Sequence, residues 1–316
     1  MTLAASHQDE AFLHEAFLYG DLEELVRKVD AFVREGIEAD EPVLVALSSD
    51  KNERVRAALG DSGDAVLFAD MEEIGANPAR IIAVWRDFAD TYGAGGQPIR
   101  GIGEPIWAGR SDPELAECHR HESLLNLAFA DGPAFRLLCP YDVSSLEQHV
   151  VAEAERTHPY VSDGGSSRES KRYRGLDAIA EPFAEPLEDP PVDAWEVTFD
   201  ENSLADVRAI VAEQAGALGL ALARTNSFVI AVNEVATNSV RHGGGQGILR
   251  IWRDGEALIC QVEDRGRIEE PLVGRQRPVL DEAGGRGLWL ANQLCDLVQV
   301  RSFENGSAVR IHMTRS

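Results

Sequence analysis

The chain has 316 residues, room for two domains of ordinary size. It is 44% hydrophobic and 27% charged, a globular rather than a disordered composition. Its 30 basic against 54 acidic residues give a formal charge of −24, which repels a phosphate backbone and argues against direct nucleic-acid binding.

Met1 to Glu10 reads as a loose tail. Asp21 caps an amphipathic helix that turns Leu22, Leu25, Val26, Val29, Phe32 and Val33 inward. A β-rich run, Pro42 to Ser48, precedes a helix from Asn52 to Leu59 and a second apolar run from Ala65 to Ala69. Asn77 with Pro78 at the first position starts a helix to Tyr92. A strand lies within Pro98 to Trp107, a helix runs from Asp112 to about Ala130, and Ala134 to Cys139 is the next strand. Strands alternate with helices and are mostly apolar on both faces, so the expected architecture is a three-layer α/β domain with a mostly parallel sheet.

This first half lacks the marks of a nucleotide site. No G-x-x-x-x-G-K-[ST] follows the first apolar run, and Gly101-Ile102-Gly103 lacks a third glycine and runs into Pro105. Five blocks carry a different resemblance: His14 to Tyr19 (HEAFLY), Asp70-Met71, Ile99 to Pro105 (IRGIGEP), Glu122 to Asn126 (ESLLN) and Leu138 to Asp142 (LCPYD). Together, over about Phe12 to Arg156, they resemble the MEDS sensory domain of methanogen and methylotroph regulators. That resemblance implies sensing of a small molecule. His14, Glu104, Glu122 and Tyr141 are the polar residues of these blocks and the candidates for a sensory pocket; buried polar residues that satisfy one another are the competing explanation.

His158 to Pro191 is broken by Pro159, the Gly164-Gly165-Ser166-Ser167 run and Pro182, Pro186, Pro190 and Pro191, and reads as a linker. The domains are therefore expected at 1–157 and 193–316, with the linker at 158–192. Ala194 to Phe199 alternates as a strand, and Ser203 with Asp206 looks like a capping box for a helix from Leu204 to Leu218. Gly247 to Trp252 and Ala257 to Val262 form a hairpin across Asp254-Gly255; Leu297 to Phe303 and Ser307 to Met313 form another across Asn305-Gly306. Arg265 to Ala283 is too polar and broken to be an element, and is the candidate lid.

Three stretches of the second half carry chemistry. Glu234 and Asn238 sit four apart on a helix that ends at Gly243-Gly244-Gly245, so they share one face. A carboxamide beside a carboxylate suits Mg²⁺ carried by phosphates, since that ion takes only one or two protein oxygens. Asp264 and Gly266 end a strand, where an acid can accept a hydrogen bond from an exocyclic amine while the backbone approaches a flat ring. Gly284-Gly285-Arg286-Gly287 opens a helix at Leu288, and such a start presents free N–H groups to phosphate.

These boxes resemble the GHKL-type ATPase fold, an α+β sandwich, and within it the anti-sigma-factor serine/threonine kinases. The resemblance implies a catalytic role for Glu234, Mg²⁺ on Asn238, and nucleotide contacts from Asn238, Asp264, Gly266, Gly285, Gly287 and Leu288. It departs from the usual D-x-G-x-G at Ile268, which bears on the flexibility of the lid. The implied function is ATP-dependent phosphorylation of a STAS-type anti-sigma antagonist, with a sigma factor as second partner and homodimer formation left open. A non-catalytic ATP-binding module is the alternative, and a sensor histidine kinase a more distant one, because no dimerisation helix pair with an acceptor histidine is present. Arg241 and His242 fit either a phosphate contact or the favoured cations of a helix C-terminus.

The four cysteines are scattered and read as reduced, buried thiols. Cys118 with His119 and His121 crowds one turn without a second ligand cluster and does not read as a metal site. With no signal peptide and no apolar run of about 18 residues, a cytoplasmic location is expected.

Overall fold

The computed structural model describes residues 12–164, 166–175, 177–278 and 285–315. The expected tail at 1–10 and the stretch 279–284, which holds Gly284, lie outside the described residues. The chain divides into two units, Met1–Ile179 and Ala180–Ser316.

The first unit runs β1 (Phe12–Tyr19), α1 (Leu22–Glu38), β2 (Val43–Leu47), α2 (Ser49–Leu59), β3 (Leu67–Asp70), α3 (Met71–Ile74), α4 (Ile81–Tyr92), β4 (Ile99–Gly103), α5 (Asp112–Ala128), β5 (Phe135–Asp142), α6 (Gln148–Thr157), β6 (Tyr160–Ser162) and β7 (Arg168–Glu169). The sheet order is β3-β2-β4-β5-β1-β6-β7, parallel except for the last pair. Leu25, Val29 and Val33 of α1 and Val55 and Leu59 of α2 bury one face of the sheet against Phe17, Val43, Val45 and Leu47. The other face packs under α4, α5 and α6.

Local chemistry fixes the starts of these helices. Asp21 accepts from the Glu24 amide as the N-cap of α1. Asn77 accepts from the Ala79 amide and opens a short 3₁₀ turn, Pro78–Arg80, before α4. Gly101 and Gly103 belong to packing rather than to phosphate: a Cβ on either would lie 2.8 Å from the Trp85 indole.

Two features escaped the pattern reading. The strand β1 is interrupted by His14 and Glu15, so no alternation announces it, yet it is paired on both sides. The seam expected over 158–192 begins later, because His158 is buried and Tyr160–Ser162 pairs with β1. Three residues between proline and glycine are too few to show a period.

Helix α7 (Asp177–Ala184) follows, and then β8 (Trp195–Asp200), α8 (Leu204–Leu218), α9 (Leu222–His242), β9 (Gln246–Asp254), β10 (Ala257–Asp264), α10 (Arg286–Leu294), β11 (Leu297–Phe303) and β12 (Gly306–Thr314). The antiparallel sheet has the order β11-β12-β10-β9-β8. Its inner face, with Leu249, Ile251, Cys260, Val262, Val309 and Ile311, packs on Val211 of α8, Phe228, Val232 and Val235 of α9, and Leu288 of α10. Phe228 is fully buried, and such burial contributes about 1.5–3 kcal/mol. The capping box sits one turn earlier than expected: Asp200 and Ser203 cap each other's backbone, which leaves Ser203 without a side-chain bond to α8. Among the described residues, no helix is long and apolar enough to cross a membrane, and all four cysteines are buried and outside any disulfide.

Candidate functional site

The three boxes of the second unit meet at one end of the helical layer. Gly287 enters the first turn of α10 directly over α9: a Cβ there would lie 2.8 Å from Asn238 Nδ2 and 3.2 Å from Glu234 Oε2. Glycine is what lets the start of α10 come this close. Gly285, with φ +71°, is the N-cap and carries no side chain to cap α10, whose first turn begins beside Glu234 and Asn238. Glu234 and Asn238 are half-buried, and among the described residues neither side chain makes a hydrogen bond or an ion pair.

Asp264 lies across the end of α9. Its Oδ1 accepts from the Gly266 amide at 2.8 Å and from Ser307 Oγ at 3.0 Å, which fixes the carboxylate and leaves Oδ2 without a partner among the described residues. Gly243, at the end of α9, is essential to this approach, since a Cβ there would sit 2.5 Å from the Asp264 Cβ and 2.6 Å from the Ser239 carbonyl oxygen. Gly266 approaches the His242 carbonyl in the same way, at 2.6 Å for its absent Cβ. Gly243 and Ser307 were not singled out from the sequence, although the glycine run after α9 was the available signal for the first. Arg241 and His242 are both exposed in the last turn of α9, where cations are favoured.

The segment from Arg265 to Pro278 forms no helix or strand. It is tied at two points. Ile268 packs its side chain on the core of the unit, a foothold a glycine would not provide, and its backbone amide donates to Ser302 Oγ at 2.9 Å. Gly274, with φ +74°, passes against Leu288, and the buried Asn292 of α10 donates to its carbonyl at 2.8 Å.

The residues fit a nucleotide with Mg²⁺. The amides of a helix start suit phosphate, the unpartnered carboxamide of Asn238 suits the one protein oxygen Mg²⁺ takes, and the fixed carboxylate of Asp264 with bare backbone beside it suits an exocyclic amine over a flat ring. A cleft of about 670 Å³, lined by residues 186–192, Arg250, Glu263 and Asn305, also includes Asp264 and Ser307 in its wall but none of Glu234, Asn238, Gly285 or Gly287.

In the first unit the four expected pocket residues fall into two clusters with no member in common. Glu104 is buried beside a crevice of about 660 Å³ at the carboxyl ends of the parallel strands, lined by Tyr19, Ser48, Lys51 and Asp142. It accepts from Tyr19 Oη at 2.6 Å and from Lys51 Nζ at 2.7 Å. His14 Nε2 lies 3.1 Å from Glu122 Oε2 under α5, and Tyr141 stands edge-on to His158, with ring centroids 5.6 Å apart and its hydroxyl without a hydrogen-bond partner among the described residues. Cys118 donates to the Pro105 carbonyl, and burial pushes its thiol up to about 12, in keeping with an inert core residue.

Residues 13–159 match the MEthanogen/methylotroph, DcmR Sensory domain (MEDS), and residues 197–313 match the Histidine kinase-like ATPase domain. No curated protein matches the chain. Among solved structures, the RsbU and RsbW domains of Rv1364c from Mycobacterium tuberculosis align at 20% identity over 39% of this chain, with a TM-score of 0.31. That alignment spans only 33% of the other chain. The histidine kinase AdeS of Acinetobacter baumannii aligns at 12% identity over 40% of this chain and 70% of its own, with a TM-score of 0.22. With a mostly parallel α/β unit followed by an antiparallel α+β unit, the chain is a fusion of a MEDS domain to an ATPase domain of the histidine kinase-like, GHKL family.

Proposed function

We propose that the chain is an ATP-binding anti-sigma regulatory factor whose second unit phosphorylates a serine or threonine of a STAS-type antagonist under the control of its MEDS domain. The observation that carries this reading is the approach of Gly287 to within a missing side chain of Glu234 and Asn238, both unpartnered among the described residues. Phosphoryl transfer needs little more from a protein than positioning and charge stabilisation. The first-turn amides of α10 hold the phosphates, Asp264 holds the adenine amine, and Asn238 supplies its oxygen to Mg²⁺, which neutralises phosphate charge when bound. Glu234 orients the attacking hydroxyl and accepts its proton as the new O–P bond forms and ADP leaves. A positioned base of this kind is worth about 10²–10⁴-fold in rate. A sigma factor is the second partner, bound in the unphosphorylated cycle. The signal enters at the crevice beside Glu104, since ligands of parallel α/β sheets bind at the carboxyl ends of the strands.

Labelled ATP, Mg²⁺ and a panel of STAS-type antagonists incubated with the full chain test this directly. The expected result is transfer to one antagonist, with Glu234→Ala lowering the rate at least about 10²-fold while calorimetry shows unchanged ATP affinity. The foothold of Ile268 in the core favours one rival, a module that binds ATP and regulates by binding alone. ATP binding without transfer, indifferent to Glu234→Ala, decides for that rival.

A further inference from the structure

Under α5 of the first unit, four side chains from four different elements converge: His14 from β1, Glu122 from α5, Cys139 from β5, and His158 from the turn between α6 and β6. All are buried, with one ligand-capable atom of each within 4.8 Å of the others. Glu122 Oε2 lies 3.1 Å from His14 Nε2, 3.3 Å from His158 Nε2 and 3.5 Å from Cys139 Sγ, and Cys139 Sγ lies 3.3 Å from His14 Nε2. With Zn–N of about 2.0–2.1 Å and Zn–S of about 2.3 Å, the edges of a tetrahedral site come to roughly 3.3–3.6 Å.

The protons are spoken for. Asn126 donates its amide hydrogens to the Thr157 carbonyl at 2.8 Å, which turns its oxygen toward His14 Nδ1 at 3.1 Å. His158 Nδ1 faces the Ala154 carbonyl at 2.9 Å, which can only accept. Both imidazoles therefore carry their hydrogen on Nδ1 and aim the lone pair of Nε2 at a carboxylate oxygen that is itself lone pairs. Glu122 Oε1 and His158 Nε2 are buried with no hydrogen-bond partner among the described residues. Four ligand-capable atoms from four elements converge in a buried space, two of the four side chains carrying unsatisfied polar atoms, an arrangement that a cation at its centre would satisfy.

We infer that the MEDS unit holds a tetrahedral divalent metal of the zinc class on His14 Nε2, His158 Nε2, Cys139 Sγ and Glu122 Oε2. Two imidazoles, a thiolate and a carboxylate form a borderline-soft donor set that suits Zn²⁺ or Co²⁺ and disfavours Mg²⁺ or Ca²⁺. Binding displaces the Cys139 thiol proton to solvent. Asn126 and the Ala154 carbonyl orient the two rings, the outer layer such sites use. The site ties β1, α5, β5 and the start of β6 together. It lies in the first unit and stands independently of whether the second unit transfers phosphate.

The test uses the full chain, stripped with chelator and reloaded with Zn²⁺ or Co²⁺ alone. One zinc per chain should survive gel filtration and raise the melting temperature. The cobalt form should show the intense visible bands of a four-coordinate ion and a thiolate charge-transfer band in the near ultraviolet. Cys139→Ser should abolish that charge-transfer band, and Asn126→Ala, which removes no ligand, should weaken binding about 10–100-fold with an unchanged circular dichroism spectrum. Folded protein with no tight zinc and only the spectrum of hydrated cobalt overturns the assignment without recourse to any variant. A charge-transfer band that survives in folded Cys139→Ser overturns it too, by placing the metal on another thiol.

Discussion

Gly287→Ala separates the stability of the second unit from its nucleotide affinity, because the two should move in opposite directions. Gly287 lies in the first turn of α10, where alanine is the better helix former by up to about 1 kcal/mol. The new methyl's tightest contacts are the ends of two flexible side chains, with Glu234 Cβ at an ordinary 3.4 Å, so the fold loses little by moving those ends. Those ends are the carboxamide of Asn238 and the carboxylate of Glu234. Asn238 Nδ2 must retreat from 2.8 Å to beyond 3.4 Å to reach ordinary van der Waals contact. A misplacement of that order in a metal- or phosphate-holding group costs about tenfold, rising toward 10²-fold for a full ångström. Each tenfold is about 1.4 kcal/mol of binding.

The assay is calorimetry of ATP with Mg²⁺ on the full chain, with thermal melting measured beside it. Gly216→Ala in α8 is the control: a Cβ there meets nothing within 4 Å, so it should raise stability and leave affinity alone. Gly287→Ala should melt no lower than the wild type and bind ATP at least about tenfold more weakly. Wild-type affinity in Gly287→Ala refutes the placement of the phosphates and metal between α9 and α10.

Gly101→Ala should destabilise the first unit by about 1–3 kcal/mol, because the added methyl falls 2.8 Å from Trp85, 2.9 Å from Leu137 and 3.0 Å from Phe135; an unchanged unfolding midpoint in urea contradicts that packing. Asn292→Ala removes the donor to the Gly274 carbonyl and should cost about 1–3 kcal/mol locally, read as faster proteolysis within 265–278; equal cleavage rates show that the segment is held elsewhere.

Most of the second unit was legible because its chemistry is local. Glu234 and Asn238 are four apart on one helix, Asp264 and Gly266 two apart at a strand end, and Gly285 and Gly287 open a helix, so spacing alone places each pair. What spacing could not show is which glycines make room across elements. Gly243 reads as a helix stop, and its contact with Asp264, twenty-one positions on, exists only in three dimensions. In the first unit the α/β alternation was readable and β1 was not. Its polar His14 and Glu15 break the hydrophobic run, and they do so because His14 faces a polar cluster rather than the apolar core. His158 was assigned to the linker for the complementary reason: a polar residue before Pro159 carries no periodic signal, and its partners Glu122 and His14 are 36 and 144 positions away.

The two buried carboxylates of the first unit show how different functions can be read from satisfaction alone. Glu104 is complete. Lys51 and Tyr19 donate to it, Lys51 also reaches the Tyr19 hydroxyl, and the group forms a charged wall to an open crevice. A ligand there would compete with an existing network, so binding must rearrange Lys51, and that rearrangement is a natural means of passing on a signal. Glu122 is incomplete. It is as deeply buried, yet its neighbours are two imidazoles and a thiol, and one of its oxygens has no partner among the described residues. Leaving a charge in that state costs several kcal/mol, which a folded chain does not carry at four converging positions without something that repays it. The crevice therefore suits an exchangeable small molecule, whereas the cluster under α5 suits an ion that stays.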